Sequence, residues 1–157
     1  MKLDPTDLSL LQYLQEDSKQ TNKQLSSRLN LSVTAVYERI KKLERNGVIK
    51  KYVALVEKKH LNFGFMVFGH VKLAQHTETN ISDFEAGVSQ LDEVLECYHV
   101  SGEFDYLLKV MVKDMDAFRL FMTSKLTSLR HIGSTQSSFT ITEVKNTTAL
   151  KVSRNFN

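Results

Sequence analysis

Apolar residues recur at intervals of three and four along the first 47 residues, a spacing that predicts short amphipathic helices. The clearest stretch begins at Ser32, a natural N-cap, and ends at Gly47, a residue type that commonly stops a helix. Its apolar stripe consists of Val33, Val36, Ile40 and Leu43. This stripe is expected to anchor the helix to a small core, while the opposite face carries polar and cationic side chains.

Two further segments with capping signals precede this helix. Asp4 followed by Pro5 predicts the start of a first helix, and Thr21 with Gln24 forms a capping box that predicts a second. Only a short break at residues 30–32 separates the second helix from the third. Two helices joined by about three residues form a helix-turn-helix, and the first helix shares their core.

The polar face of the third helix carries the candidate DNA contacts. Its early outward residues are expected to read base edges and its cations to contact phosphates, because the N-terminal end of a recognition helix lies deepest in the groove. The candidates are Ser32, Thr34, Tyr37, Glu38, Arg39, Lys41, Lys42 and Arg45. Two assignments stay open. Glu38 either accepts from a cytosine amine or pairs with a neighbouring lysine, and Lys50 and Lys51 either contact phosphates or form a solvated strand face.

Beyond the third helix the pattern changes from helical to alternating. Residues 48–56 are rich in β-prone side chains and predict a strand, and residues 57–64 are short and polar, which is typical of a linker. The predicted organisation is a helical DNA-binding domain with its strand over 1–56, a linker over 57–64, and a second domain over 65–157.

The second domain shows the order β-α-β-β-α-β. Strands are predicted over residues 65–73, 94–100, 106–112 and 134–144, and helices over 81–91 and 116–128. This is the split βαβ, ferredoxin-like arrangement, an α+β fold with both helices on one face of an antiparallel sheet. We assign to the uncovered face the apolar residues Phe65, Val67, Leu108 and Val110. Such a face predicts pairing with a second subunit by two-fold symmetry.

Charge and composition narrow the function further. The chain has 157 residues, of which 41% are hydrophobic and 25% charged, the composition of an ordinary globular protein. Its net charge of +3 is uneven, since residues 1–60 hold 12 lysines and arginines against 7 acidic residues, a local net charge of +5. The excess of cations therefore coincides with the helix-turn-helix and favours double-stranded DNA as a partner.

Cysteine usage and hydropathy bear on location. The single Cys97 lies in an apolar run, which we interpret as core packing in a reducing compartment. Neither a basic-then-apolar leader nor a run of 18 apolar residues is present, so a cytoplasmic protein without a membrane partner is expected.

The sequence contains no motif that would indicate an enzyme. The five histidines show no metal-ligand spacing, and no glycine-rich phosphate loop is present. We therefore expect no catalytic residue, no metal and no cofactor.

A glycine-containing loop between the two middle strands is the candidate small-molecule site. Its N–H groups and hydroxyls could hold the carboxylate of a zwitterion, and Asp105 its ammonium. A plain hairpin, with Gly102 and Asp105 as turn residues, explains the same pattern.

Four motifs in order resemble the Lrp/AsnC, or feast/famine, transcription regulators. The likeness runs from about Leu3 to Leu150. The motifs are Leu3-Asp4-x-x-Asp7 with Leu10-Leu11-x-x-Leu14, Ser32-x-x-x-Val36-x-x-Arg39-Ile40-x-x-Leu43-Glu44-x-x-Gly47-Val48-Ile49, Val100-x-Gly102-x-x-Asp105-Tyr106-Leu107-Leu108-x-Val110, and Val144-Lys145-x-Thr147-Thr148.

The resemblance implies a winged helix-turn-helix, a hinge strand, and a second domain that dimerises through its sheet and often assembles into octamers. It also implies an amino-acid effector bound between subunits. Carried over by position, the effector residues are Val100, Ser101, Gly102, Glu103, Asp105, Tyr106, Thr135 and Ser137. His131 replaces a glycine common in the family, and Ser137 replaces a threonine. The expected function is a sequence-specific regulator that responds to an amino acid; the alternative is an architectural DNA-binding protein that senses no effector.

Overall fold

The computed structural model describes residues 2–152, which form two compact units. The first unit joins residues 2–55 to residues 145–152, and the second comprises residues 56–144. Among the described helices, none is both long and apolar enough to cross a membrane.

The first unit is built on three helices. They are α1 (Pro5–Glu16), α2 (Asn22–Leu29) and α3 (Val33–Arg45). The predicted N-caps Asp4, Thr21 and Ser32 are confirmed, since each side chain accepts a hydrogen bond from a backbone N–H three residues later. Gly47 takes a φ of +67°, the left-handed conformation that commonly follows the end of a helix. The helix-turn-helix thus begins and ends where the capping residues predict.

The helices share one small core. Leu10, Leu25, Val36 and Leu43 are fully buried and pack together. Val33, which we placed in the same stripe, is instead 47% exposed. As the first residue of α3 it lies at the edge of the stripe, where the helix has turned it out of reach of the core.

The strand predicted over residues 48–56 is not formed. Residues 50–57 are neither helix nor strand, and Leu55 is 74% exposed. A strand requires a hydrogen-bonded neighbour, and residues 2–152 of one chain supply none for this segment. The linker region that follows contains a 3₁₀ turn at Lys58–Leu61.

The end of the described chain returns to the helical unit. The side-chain amide of Gln15 donates to the Leu150 carbonyl oxygen at 3.0 Å, and its Oε1 accepts from the Leu150 N–H at 2.7 Å. A glutamine amide offers the same donor and acceptor as a peptide unit, so it can pair with a passing extended segment. Residues 145–152, which we assigned to the second domain, therefore group with the first unit.

The second unit confirms the predicted α+β order. Its elements are β1 (Phe65–Leu73), α4 (Glu78–Val88), β2 (Val94–His99), β3 (Tyr106–Val112), α5 (Met115–Ser124), a 3₁₀ turn (Leu126–Ser128) and β4 (Ile132–Phe139). The antiparallel sheet has the order β2-β3-β1-β4. The main difference from prediction is β4, which ends five residues early: its pairing with β1 stops at Phe139 opposite Val67, and one further backbone bond, from the Thr140 N–H to the Met66 carbonyl oxygen at 3.2 Å, lies beyond it.

The helices cover the sheet face that we predicted to be uncovered. The residues we placed on the uncovered face, Phe65, Val67, Leu108 and Val110, pack instead against α4 and α5. Since strand side chains alternate, the other face carries Met66, Phe68, Leu107 and Met111. The sheet face that the helices leave uncovered is therefore still apolar, but with different residues. Cys97 is also not in the core, because the edge strand β2 leaves it exposed.

Candidate DNA-binding and effector-binding sites

Helix α3 presents one continuous exposed face. Buried Val36 and Leu43 hold its inner side. The opposite side exposes every predicted DNA-contact residue except Arg39, namely Ser32, Thr34, Tyr37, Glu38, Lys41, Lys42 and Arg45. Polar side chains therefore lie near the N-terminal end of the helix, and cations follow along its length.

Arg39 is bound inside the unit. Its guanidinium lies 2.6 Å from carboxylate oxygens of both Asp4 and Asp7, and the Asp7 side chain is fully buried. These bonds raise the pKa of Arg39. Burial alone would raise the pKa of Asp4, but the Asp7 N–H and the Arg39 guanidinium outweigh it and hold that pKa below its ordinary value. Arg39 thus fixes α3 to the start of α1, a role that its place beside Ile40, near the buried stripe, could have indicated.

The remaining charges on α3 differ in how freely they can reach a ligand. Lys41 pairs with Glu44 at 2.9 Å, and the Tyr52 hydroxyl donates to the same carboxylate at 3.1 Å. Partial burial, together with this hydrogen bond, raises the pKa of Tyr52 to about 12. Within residues 2–152, Glu38 and Arg45 form no ion pair. Both are therefore available to a partner outside the chain.

The loop between β2 and β3 is closed by its own backbone. The Val100 N–H donates to the Asp105 carbonyl oxygen at 2.8 Å, and the Asp105 N–H donates to the Val71 carbonyl oxygen at 2.9 Å. Gly102 takes a φ of +126°, a conformation that favours glycine. The first bond closes the loop as a hairpin and the second ties it to β1, so backbone hydrogen bonds hold the end of the loop at Asp105 in place.

The Asp105 carboxylate already has two partners. Its Oδ2 accepts from the Leu73 N–H at 2.7 Å, and its Oδ1 lies 2.7 Å from Nε2 of His76. The Leu73 bond contributes most to a lowered pKa, burial opposes it, and His76 adds to it. Asp105 is thus held as an anion, and its outward partner is an imidazole that is largely exposed.

Tyr106 and Thr135 lie apart from the loop surface. The Tyr106 ring is buried 4.6 Å from Phe84, and its hydroxyl donates to Glu85 at 2.9 Å. In the sheet register Tyr106 faces Val71, which in turn faces Thr135, so Tyr106 and Thr135 are about 10 Å apart across β1. Ser137 lies two residues further along β4, opposite Gly69. One chain therefore does not bring the β4 residues and the loop into a single cleft.

His131 adopts a backbone conformation that favours glycine, the residue that the family resemblance implies at this position. Its φ is +72°, which L side chains rarely adopt, and its carbonyl oxygen accepts from the Ala74 N–H at 2.8 Å. The ring reaches Asp83 at 3.2 Å. This chain therefore keeps a positive φ at position 131, although the residue is histidine and not glycine.

Comparison with known proteins places both units in one family. Residues 66–150 match the Lrp/AsnC ligand-binding domain, and residues 3–50 match a winged helix-turn-helix DNA-binding domain. The leucine-responsive regulatory proteins of Salmonella typhimurium and Escherichia coli K12 are each 37% identical over 150 residues, covering 96% of this chain and 92% of theirs.

Solved structures agree with these sequence matches. A transcriptional regulator from Neisseria meningitidis, solved in complex with L-Met, has a TM-score of 0.90 and 39% identity, covering 95% of this chain and 96% of that one. An AsnC-family regulator from Agrobacterium tumefaciens has a TM-score of 0.90 and 35% identity, covering 94% and 96%. With its helix-turn-helix and its ligand-binding sheet domain, the chain belongs to the Lrp/AsnC family of DNA-binding transcriptional regulators, and is not an enzyme.

Proposed function

We propose that this regulator binds double-stranded DNA as a homodimer, and that an amino acid changes its assembly and its DNA binding in the cytoplasm. The observation that supports DNA binding is the exposed face of α3, which lies opposite the buried stripe of the helix. On this face polar side chains come first along the helix and cations follow. Thr34, Tyr37 and Glu38 would read base edges, with Ser32 beside them. Lys41, Lys42 and Arg45 would contact phosphates, while Arg39 positions the helix.

Dimerisation is supported by surfaces that one chain leaves incomplete. The uncovered sheet face carries half-buried Met66, Phe68 and Leu107, and the segment around Val53, which was predicted to be a strand, has no strand partner in the described chain. A two-fold dimer would cover the first and pair the second. Two α3 helices would then enter major grooves about 34 Å apart and favour a pseudo-palindromic operator, and further association, up to an octamer, would align several such pairs.

An amino-acid effector is supported by the relatives and by the loop. Two relatives are named for leucine, and a structural neighbour was solved with L-Met. In this chain the anionic Asp105 would take the ammonium, and the N–H groups and hydroxyl near Ser101, Gly102 and Glu103 would take the carboxylate. Because β1 separates Thr135 and Ser137 from the loop, these residues would complete a site on a second copy.

The test is a panel of the twenty amino acids against assembly and DNA affinity. Light scattering and DNA titration should change together for at least one of them, and Asp105→Asn should abolish that response. Asp92→Asn, an exposed carboxylate outside the loop, is the matched control and should retain it. No change with any amino acid would remove the effector from the proposal and leave DNA binding in place.

One observation favours the alternative of an architectural protein that senses nothing. Both Asp105 oxygens already have partners within the chain, the Leu73 N–H and His76. On this alternative, every amino acid leaves assembly unchanged and duplexes of all sequences bind alike. If selection from random duplexes enriches one operator sequence, the expectation that all sequences bind alike is excluded.

A further inference from the structure

Val33 is an apolar side chain that the fold does not use. It is the first residue of α3 and 47% exposed, and the core of the first unit forms without it. Leu31, just before the Ser32 cap, supplies the apolar contact that fixes the entry of the chain into the helix. Valine is also a weaker helix former than alanine, so helix stability gives no reason for it.

The neighbours of Val33 place it among the base-reading residues. Val33 and Tyr37 are four residues apart and so lie on one edge of the helix, and Tyr37 is 46% exposed. Thr34 and Glu38 occupy the adjacent row, also exposed. The N-terminal turn of α3 therefore presents an apolar strip, Val33 with the Tyr37 ring, beside a hydrogen-bonding strip.

The chemistry of the major groove selects one base for an apolar strip. Thymine alone presents a methyl group there, whereas the other base edges present hydrogen-bond donors and acceptors that an isopropyl group cannot satisfy. We propose that Val33, supported by Tyr37, contacts the 5-methyl group of a thymine in each operator half-site and so determines specificity for that base pair. The inference rests on α3 entering the major groove as proposed above.

Deoxyuridine provides the test, because it removes the methyl group and leaves base pairing unchanged. An operator is first selected from random duplexes with the full chain, and each thymine is then replaced singly by deoxyuridine. The wild type should lose about fourfold in affinity at one thymine per half-site, the value of one buried methyl group. Val33→Ala should bind the thymine operator more weakly and show no deoxyuridine effect at that position.

Two further variants separate base reading from folding. Val48→Ala removes an exposed valine outside α3 and should keep the full deoxyuridine effect. Val33→Thr keeps the shape of valine with one methyl group and should show a reduced effect. Val33→Ala should keep its helix content and unfolding midpoint, since alanine favours helix.

Three results overturn the proposal. These are affinity that no deoxyuridine replacement alters, a deoxyuridine effect equally large in Val33→Ala, or a selection that enriches no sequence. Only the last of these also counts against the proposed function, since the first two leave sequence-specific binding intact.

Discussion

The ion pair of Arg39 predicts that Arg39→Ala unfolds the first unit more easily without removing a phosphate contact. The change leaves the fully buried Asp7 carboxylate with only the Asp4 N–H and a Lys42 ammonium 3.9 Å away. Removing one partner of a buried pair destabilises by about 3–5 kcal/mol. The Arg39 side chain is 28% exposed, so water replaces part of the interaction, and we expect about 2–3 kcal/mol. For a unit of this size that lowers the unfolding midpoint by roughly 10–20 °C.

Two measurements on one set of variants separate stability from DNA contact. Circular dichroism gives the unfolding midpoint, and DNA titration at several salt concentrations gives the slope of log affinity against log salt. Each lost phosphate contact reduces the magnitude of that slope by about 0.9. Arg39→Ala should lower the midpoint and keep the slope. Arg45 is exposed and has no ion pair among the described residues. Arg45→Ala should therefore keep the midpoint and reduce the magnitude of the slope.

Asp7→Asn provides an independent check, because it weakens the same interaction while it leaves every cation in place. It should lower the midpoint by a similar amount and leave the salt slope unchanged. The reasoning is refuted if Arg39→Ala keeps the wild-type midpoint and reduces the slope by about 0.9. Arg39 would then contact DNA, as we first predicted from the sequence, and the ion pair would add little to stability.

Three further predictions concern other parts of the chain. Gln15→Ala removes both hydrogen bonds to Leu150, and trypsin should cleave within residues 145–152 about fivefold faster. His131→Gly should raise the free energy of unfolding in urea by about 0.5–1 kcal/mol, since relief of the positive φ exceeds the added entropy of the unfolded chain; a decrease would contradict this. Asp105 has a lowered pKa, so its stabilisation is present above the unfolded pKa and is lost as the pH falls through the folded one. Asp105→Asn should therefore lose less stability than the wild type between pH 5 and pH 3.

Local sequence rules account for most of the fold. The caps at Asp4, Thr21 and Ser32 act through bonds to residues three positions away, so the sequence alone contains both partners. The strands β1 and β3 likewise have the predicted bounds, because long apolar runs end at turn residues. Interactions between distant residues were not predictable in this way. The contact of Arg39 with Asp7 spans 32 positions, so the place of Arg39 beside the buried stripe could indicate a structural role but not its partner.

The same limit applies to the sheet faces and to the loop that we propose binds the effector. Alternation shows that one face of β1 differs from the other, but both faces carry apolar residues, so the pattern could not say whether Val67 or Phe68 lies under the helices. The side-chain partner of Asp105 could not be predicted from the sequence for another reason. His76 is 29 positions away, beyond β1, in a stretch without periodicity.

What remains incomplete in one chain has a common physical cause. The segment around Val53 lacks a strand partner among the described residues, and the sheet face around Phe68 lacks a cover. Thr135 lies across β1 from the loop with which it was expected to form one effector site. Each of these needs surface that a second copy can supply, and all three lie outside the helix-turn-helix core. If one association completes them all, effector binding and assembly share the same contacts, and an effector that prefers one assembly must shift the balance between assemblies. The spacing of α3 helices on DNA would then depend on the effector, although no effector atom touches α3.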